Sequence, residues 1–433
     1  MLNIQKDKLI EEIEKIENTQ NVEEVTNIYF NNINPTLTKL IKLAGYAKIE
    51  KKAKDYKIIA YDSNNEKKEF YDFLGMYGVL SLGHCNDHII NKVKEQMDEL
   101  CMTSKVFLNS KYAALAKLLT TLTGLNYLFL VNSGTEAIEG AIKLAISSTK
   151  KKKIISTYNS YHGKTLGALS VSGRDVYKKY LNLLPDIYFV EYNNIEQIEK
   201  IIDNNTAAII IEPIQGEGGI IVPNDNYLPT LRNICDKYNC LLIIDEVQTG
   251  LGRTGYLFEY QRYNIKPDIL VLAKALSGGV IPIGAILGNE KAWEIFNENP
   301  LFHTSTFGGN SLAITAALET IKYIINNDIP KQTQEKGEYF LKNLKQLEYQ
   351  YPQIIKEIRG KGLMIGVELT NEEYSASIFS YLIQNGIITA YTLNQPKVIR
   401  IEPPLTIPYS IIDKFINIFK DSLDYTKELF ELY

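Results

Sequence analysis

Residues 241–250, LLIIDEVQTG, and residues 268–279, DILVLAKALSGG, each run an apolar strand into one reactive side chain. Leu241 to Ile244 lead to Asp245, and Ile269 to Ala273 lead to Lys274. An acid and an amine at neighbouring strand ends stand where parallel sheets bind their ligands. Around these two segments the same texture repeats from about residue 90: an amphipathic helix, a short apolar strand, a turn rich in Gly, Ser or Asn, then another helix. The other candidate strands are Tyr127–Val131, Lys153–Ser156, Ile187–Val190, Ala207–Ile211 and Ile283–Leu287. Strand, crossover and strand in alternation imply an α/β domain with a mainly parallel sheet.

At 433 residues the chain exceeds the size at which single cores stop growing, so two lobes are expected. After Leu312–Asn326, a long helical run, the sequence turns to Lys-, Glu- and Gln-rich helices with GLMIGVELT and KVIRIEPPL as strands, which reads as a smaller α+β lobe. The expected division is 71–315 for the large domain and 316–433 for the small one. Residues 1–70 should contribute helices and strands to the small lobe and to a subunit interface. Within them, Leu9, Ile10, Ile13 and Ile16 fall at helical spacing, an amphipathic helix rather than a signal peptide, and KIIAYDSNNEKKEFYDF reads as two strands around a polar turn.

With 51 acidic against 47 basic residues the net charge is −4, which gives no electrostatic reason to expect nucleic acid or an anionic membrane as partner. The stretch 269–288 is interrupted by Lys274, glycines and Pro282, so no membrane span is indicated. Four cysteines without C-x-x-C spacing read as reduced thiols of a cytoplasmic protein, and four scattered histidines give no metal site. Small molecules are the expected partners.

A carboxylate can hold a pyridine nitrogen protonated while a lysine amine condenses with an aldehyde, and pyridoxal phosphate needs both, so Asp245 and Lys274 point to that cofactor. VNSGTEAIEGAIKLA (131–145) runs a strand through Ser133, Gly134 and Thr135 into a helix, either a phosphate cradle or a plain N-cap. In TYNSYHGKTLGALS, Tyr161 and His162 could lie against a flat cofactor or form a surface pair. IIIEPIQGEGGIIVP puts Glu212 at a strand end and Glu217 in a glycine loop that would let a carboxylate approach a ligand or swing away. Gly250-Leu-Gly252-Arg-Thr-Gly255 fits the dinucleotide fingerprint, but it does not directly follow its strand, no regular helix follows it, and the next strand ends in Lys274 instead of an acid.

In order and spacing, NSGTEA, YHGKTLGALS, EPIQGEGG, DEVQTGLGRTG, LAKALSGG, STFGGN and RIEPPL resemble the class III (ornithine-type) aminotransferases, pyridoxal-phosphate enzymes of fold type I, from about Asp72 to Leu405. The resemblance implies that Lys274 binds the cofactor covalently and shuttles the substrate proton, that Asp245 holds the pyridine nitrogen protonated, and that Val247 and Tyr161 lie on the two ring faces with Gln248 near the ring hydroxyl. Ser133, Gly134 and Thr135 would receive the phosphate, with His162 and Glu212 also at the cofactor. Thr306 would reach the phosphate of the neighbouring subunit, which implies a homodimer with shared sites. Glu217 and Arg400 match a gate in which the glutamate covers the arginine for an amine donor and uncovers it for a dicarboxylic oxo acid.

For the donor, Lys164 stands where ornithine and acetylornithine enzymes carry an arginine, and a lysine holds a carboxylate less definitely. Lys164, LPDIYFVEYNNIE (184–196), LGHCN (82–86) and TLNQPKVIRIEPPLT (392–406) look most like family members that act on putrescine, while Tyr77 matches an ornithine-type position. The expected reaction moves the terminal amine of a putrescine- or cadaverine-like diamine to 2-oxoglutarate. Ornithine, acetylornithine or 4-aminobutyrate as donor, or a cofactor-binding scaffold without turnover, are the alternatives.

Overall fold

A computed structural model describes residues 2–432. The chain opens with helices Leu2–Asn18, Val22–Asn32 and Pro35–Leu43, the second and third N-capped by Asn21 and Asn34. Leu9, Ile10 and Ile13 of the first helix are exposed. A meander follows, β1 (Ile49–Lys54), β2 (Lys57–Tyr61) and β3 (Lys67–Asp72), with antiparallel pairs throughout. The polar turn at 62–66 is held by Asp62, whose Oδ1 accepts from the amides of Asn64 and Glu66. Sequence reading found β2 and β3 and missed β1, because this outer strand, IEKKAK, carries the lysines that protect an exposed edge and lacks an apolar run.

The central sheet has seven strands: β4 (Tyr127–Val131), β5 (Lys153–Thr157), β6 (Ile187–Val190), β7 (Thr206–Ile211), β8 (Leu241–Asp245), β9 (Ile269–Leu272) and β10 (Gly284–Gly288), in the order β4-β10-β9-β8-β7-β5-β6. β10 alone runs opposite to the rest, antiparallel to its neighbours β4 and β9. Every residue of β7, β8, β9 and β10 is buried, as strands covered on both faces require. One face packs on the helix Gly134–Thr149 through Ile138, Ala141 and Ile142. The other packs on Tyr227–Tyr238 and Ser311–Asn326 through Leu231, Ala317 and Ile321.

The remaining antiparallel sheet is β11 (Ile355–Lys361), β12 (Met364–Leu369), β14 (Ala390–Tyr391) and β15 (Val398–Ile401), in the order β11-β12-β15-β14. The short strand β13 (Ile387–Ile388) leaves it and pairs parallel with Tyr71 and Asp72 of β3, so the N-terminal meander joins the C-terminal part of the chain in space. The GLGRTG segment forms turns leading to the short 3-10 helix Glu259–Tyr263, which rules out the strand-turn-helix of a dinucleotide fold. Its Arg253 is buried and donates to the carbonyls of Leu363 and Pro403 at 3.0 and 2.5 Å, tying this segment to the chain around β12 and β15. Among the described residues no helix is long and apolar enough to cross a membrane.

Candidate active site

Five parallel strands end around one cavity of about 630 Å³. β4 delivers Ser133, Gly134 and Thr135; β5 delivers Tyr161 and His162; β7 delivers Glu212; β8 delivers Asp245, Val247 and Gln248; β9 delivers Lys274. Lys164 lies at its rim, exposed. The motifs from Ser133 to Lys274 therefore meet at the carboxyl edge of one sheet, the usual ligand site of this architecture.

Asp245 is buried and doubly held: Oδ2 lies 2.7 Å from His162 Nδ1, and Oδ1 accepts from the Val247 amide at 3.0 Å. Burial opposes a charge on the imidazole, but the hydrogen bond and negative charge of Asp245 outweigh it, so His162 keeps its proton above the usual histidine range. Its Nε2 is buried and finds no partner among the described residues. Behind it Glu212 accepts from the amides of Tyr161 and Gly216 at 3.1 and 3.2 Å, and burial pushes its carboxyl up to about 7.

Lys274 has a backbone φ of 44°, a left-handed conformation that costs a non-glycine residue about 1 kcal/mol or more and persists where the surroundings enforce it. Burial lowers its amine pKa, which favours the free base. Across the cavity, Ser133 caps the helix Gly134–Thr149, its Oγ accepting from Glu136 N at 3.3 Å. The amides of Gly134 and Thr135 find no acceptor among the described residues. Thr135 Oγ1 and Thr165 Oγ1 lie 2.9 Å apart beside them. A Cβ at Gly134 would meet both Val247 methyls at 3.1 and 3.2 Å, so glycine keeps this end of the cavity open. Free helix amides with hydroxyls suit a phosphate, Asp245 suits a ring nitrogen and Lys274 an aldehyde, so the residues present fit pyridoxal phosphate.

Just beyond the cavity, Arg400 on β15 is fully buried and its Nη2 lies 2.5 Å from Glu217 Oε2. Glu217 is held below its usual pKa: burial opposes ionisation, and the Arg400 charge and hydrogen bond outweigh it. The Tyr77 ring lies 5.3 Å from the Arg400 guanidinium, and Tyr77 has a φ of 60°. Lys164 Nζ lies 4.3 Å from the centre of the Tyr177 ring. Thr306 is exposed and lies outside the cavity of its own chain.

Sequence reading missed Glu402. It is buried, and both carboxylate oxygens accept from Gln248 Nε2, at 2.9 and 3.0 Å, so the amide expected near a ring hydroxyl has its nitrogen committed elsewhere. The available signal was an acid two residues after Arg400, just past the end of a strand otherwise made of apolar residues.

Comparison with known proteins agrees with this geometry. The class-III aminotransferase family pattern matches residues 49–423. A putrescine aminotransferase of Pectobacterium atrosepticum is 42% identical over 378 residues, 84% of this chain and 80% of that protein. The ornithine aminotransferase of Toxoplasma gondii, whose structure holds pyridoxal phosphate at partial occupancy, superposes with a TM-score of 0.87 at 30% identity, covering 97% of this chain and 98% of that one. The ornithine aminotransferase of Plasmodium falciparum gives 0.79 at 31% identity, covering 94% and 99%. With strand ends, cavity and relatives in agreement, the chain belongs to the class-III aminotransferases and is a transaminase dependent on pyridoxal phosphate.

Proposed function

We propose that the chain moves the terminal amino group of a putrescine-like diamine to 2-oxoglutarate, giving an aminoaldehyde and glutamate. The observation that carries this reading is the pairing of the site's cations. Arg400 is covered by Glu217 at 2.5 Å, and Lys164, exposed at the rim against the Tyr177 ring, offers only a point charge, so a donor's own carboxylate finds no free bidentate partner. A diamine has no such need, and the putrescine-acting relative supports the same donor. Tyr77 beside Arg400 favours ornithine as the second reading.

In this reading the amides of Gly134 and Thr135, with the Thr135 hydroxyl, hold the cofactor phosphate. Asp245, oriented by His162, holds the ring nitrogen protonated, and Val247 and Tyr161 confine the ring. Pyridoxal phosphate, when bound, draws electrons from the donor carbon and stores its amino group until the acceptor arrives. Lys274 would hold the cofactor covalently, and its amine, once freed by a donor, would be the base that takes the proton from the donor's terminal carbon. Arg400, uncovered by Glu217, binds a carboxylate of 2-oxoglutarate in the return half.

The proposed unit is a homodimer in which Thr306 of the partner subunit reaches the phosphate. Supporting it are the exposed Val106, Phe107, Leu108, Leu301 and Phe307 near Thr306, which a second copy would cover, with Leu9, Ile10 and Ile13 as a further apolar face. A cytoplasmic location fits the free buried thiols of Cys235 and Cys240.

The test is glutamate formation by purified holoenzyme from 2-oxoglutarate and a panel of putrescine, cadaverine, ornithine, acetylornithine and 4-aminobutyrate. Diamines are expected to give the highest kcat/KM; a strong preference for ornithine would overturn the assignment of the donor.

A further inference from the structure

The loop that carries Glu217 lacks the freedom its glycines suggest. Gln215 and Ile221 exchange backbone hydrogen bonds across its neck at 3.1 and 3.0 Å. Gln215 Nε2 donates to Thr157 Oγ1 and to the Tyr158 carbonyl, at 3.0 and 2.9 Å. On the far side Arg359 donates from Nε and Nη2 to the Gly219 carbonyl at 3.0 and 2.7 Å. With the backbone fixed at neck and shoulder, uncovering Arg400 is a rotation of one side chain. Besides Arg400, the Leu393 amide holds that side chain, donating at 2.7 Å to Oε2, the same oxygen that Arg400 meets.

Leu393 sits in the turn between β14 and β15, the strand of Arg400. Within this turn Thr392 Oγ1 and Val398 N both donate to the Gln395 carbonyl, at 2.8 and 3.0 Å. Toward the Glu217 loop, Asn394 N donates to the Glu217 carbonyl at 3.0 Å. Toward the loops after β5, Asn394 Nδ2 donates to the Asn159 carbonyl at 2.8 Å, and Arg174 Nη1 donates to the Leu393 carbonyl at 2.9 Å. The Leu393–Asn394 peptide is therefore gripped at both ends, by a guanidinium on its oxygen and by the gate's own backbone on its nitrogen. A charged donor on the oxygen polarises the peptide and strengthens its N–H as a donor.

We propose that Arg174 is a positioning residue for the gate: by holding the 392–395 turn against the Glu217 loop, it keeps the Leu393 amide on Glu217 and so sets the balance between covered and uncovered Arg400. The covered state disfavours dicarboxylates, so Arg174 sharpens selection for donors without an α-carboxylate and raises the 2-oxoglutarate concentration needed for the return half. This inference rests on the reading of Arg400 as the oxo-acid site.

The experiment uses holoenzyme carrying Arg174→Ala or Arg174→Lys, with glutarate affinity measured by calorimetry and the two half-reactions followed separately by cofactor absorbance. Loss of about one net hydrogen bond from the covered state should tighten glutarate binding roughly five-fold in Arg174→Ala and lower the 2-oxoglutarate KM alike, with Arg174→Lys in between. The diamine half-reaction should not gain. A merely loosened fold would weaken both, so tighter dicarboxylate binding separates a gate effect from damage. Unchanged or weaker glutarate binding in both variants overturns the proposal. Arg400→Gln, run beside them, should lose glutarate binding; if it does not, the reading of Arg400 falls and this proposal with it, whereas failure of the Arg174 variants alone leaves that reading standing.

Discussion

His162 Nδ1 and Asp245 Oδ2 lie 2.7 Å apart, both buried, and the imidazole holds its proton above the usual histidine range. A proton bound more tightly in the fold than in the unfolded chain adds stability that is complete below about pH 6.5 and is lost as pH rises through the higher folded value. Wild-type protein should therefore lose urea stability from near pH 6.5 upward relative to His162→Gln, which lacks the titrating group. The variant should also lose about ten- to a hundred-fold in kcat, because Asp245 is no longer oriented by its neighbour. Parallel stability profiles of the two proteins would remove the ring from this role.

Lys274 is expected to carry the cofactor. Borohydride reduction of holoenzyme followed by peptide mapping should place the pyridoxyl tag at position 274. Lys274→Ala should lower kcat by about a thousand-fold or more, the scale of losing a positioned acid–base group. A tag on another peptide would end the assignment.

Gly134→Ala places a methyl group 3.1 and 3.2 Å from the two Val247 methyl carbons. The crowding should outweigh the ordinary benefit of replacing a helical glycine and cost about 1 kcal/mol or more. Cofactor affinity, titrated by fluorescence quenching, should fall by about ten-fold as the cavity wall shifts. Unaltered affinity would mean that this wall does not face the cofactor.

Glu402→Leu leaves the Gln248 amide nitrogen without its acceptor in a buried setting, a loss of about 1–3 kcal/mol in stability. Glu402→Gln keeps an acceptor and should recover most of it. Chemical denaturation of the three proteins checks the order wild type, Gln, Leu.

The sheet was readable because β7, β8 and β9 are continuous apolar runs, and the site because each motif follows such a run at its carboxyl end. Harder to see were elements whose reason for existing lies elsewhere in the chain. β1 is charged because it is an edge, and β11, IKEIRGK, is marked by Arg359 and Glu357, which form an ion pair beside the sheet. Glu402 and Arg174 act through partners 154 and 219 residues away, Gln248 and Leu393, and no local pattern encodes such a distance. The glycines around Glu217 suggested motion, but the loop is pinned by Arg359 and Gln215, side chains remote from it or folded back under it. Glycine there serves close approach instead: a Cβ at Gly216 would stand 1.8 Å from Gln248 Oε1.

Strand β3 takes its parallel neighbour from Ile387 and Ile388, far later in the chain. While the ribosome is still translating, the earliest meander to emerge therefore shows an unsatisfied hydrogen-bonding margin, open to other nascent chains. A polypeptide released before residue 387 would keep that margin for life, making premature termination a route to aggregation even when Asp245 and Lys274 have both been made.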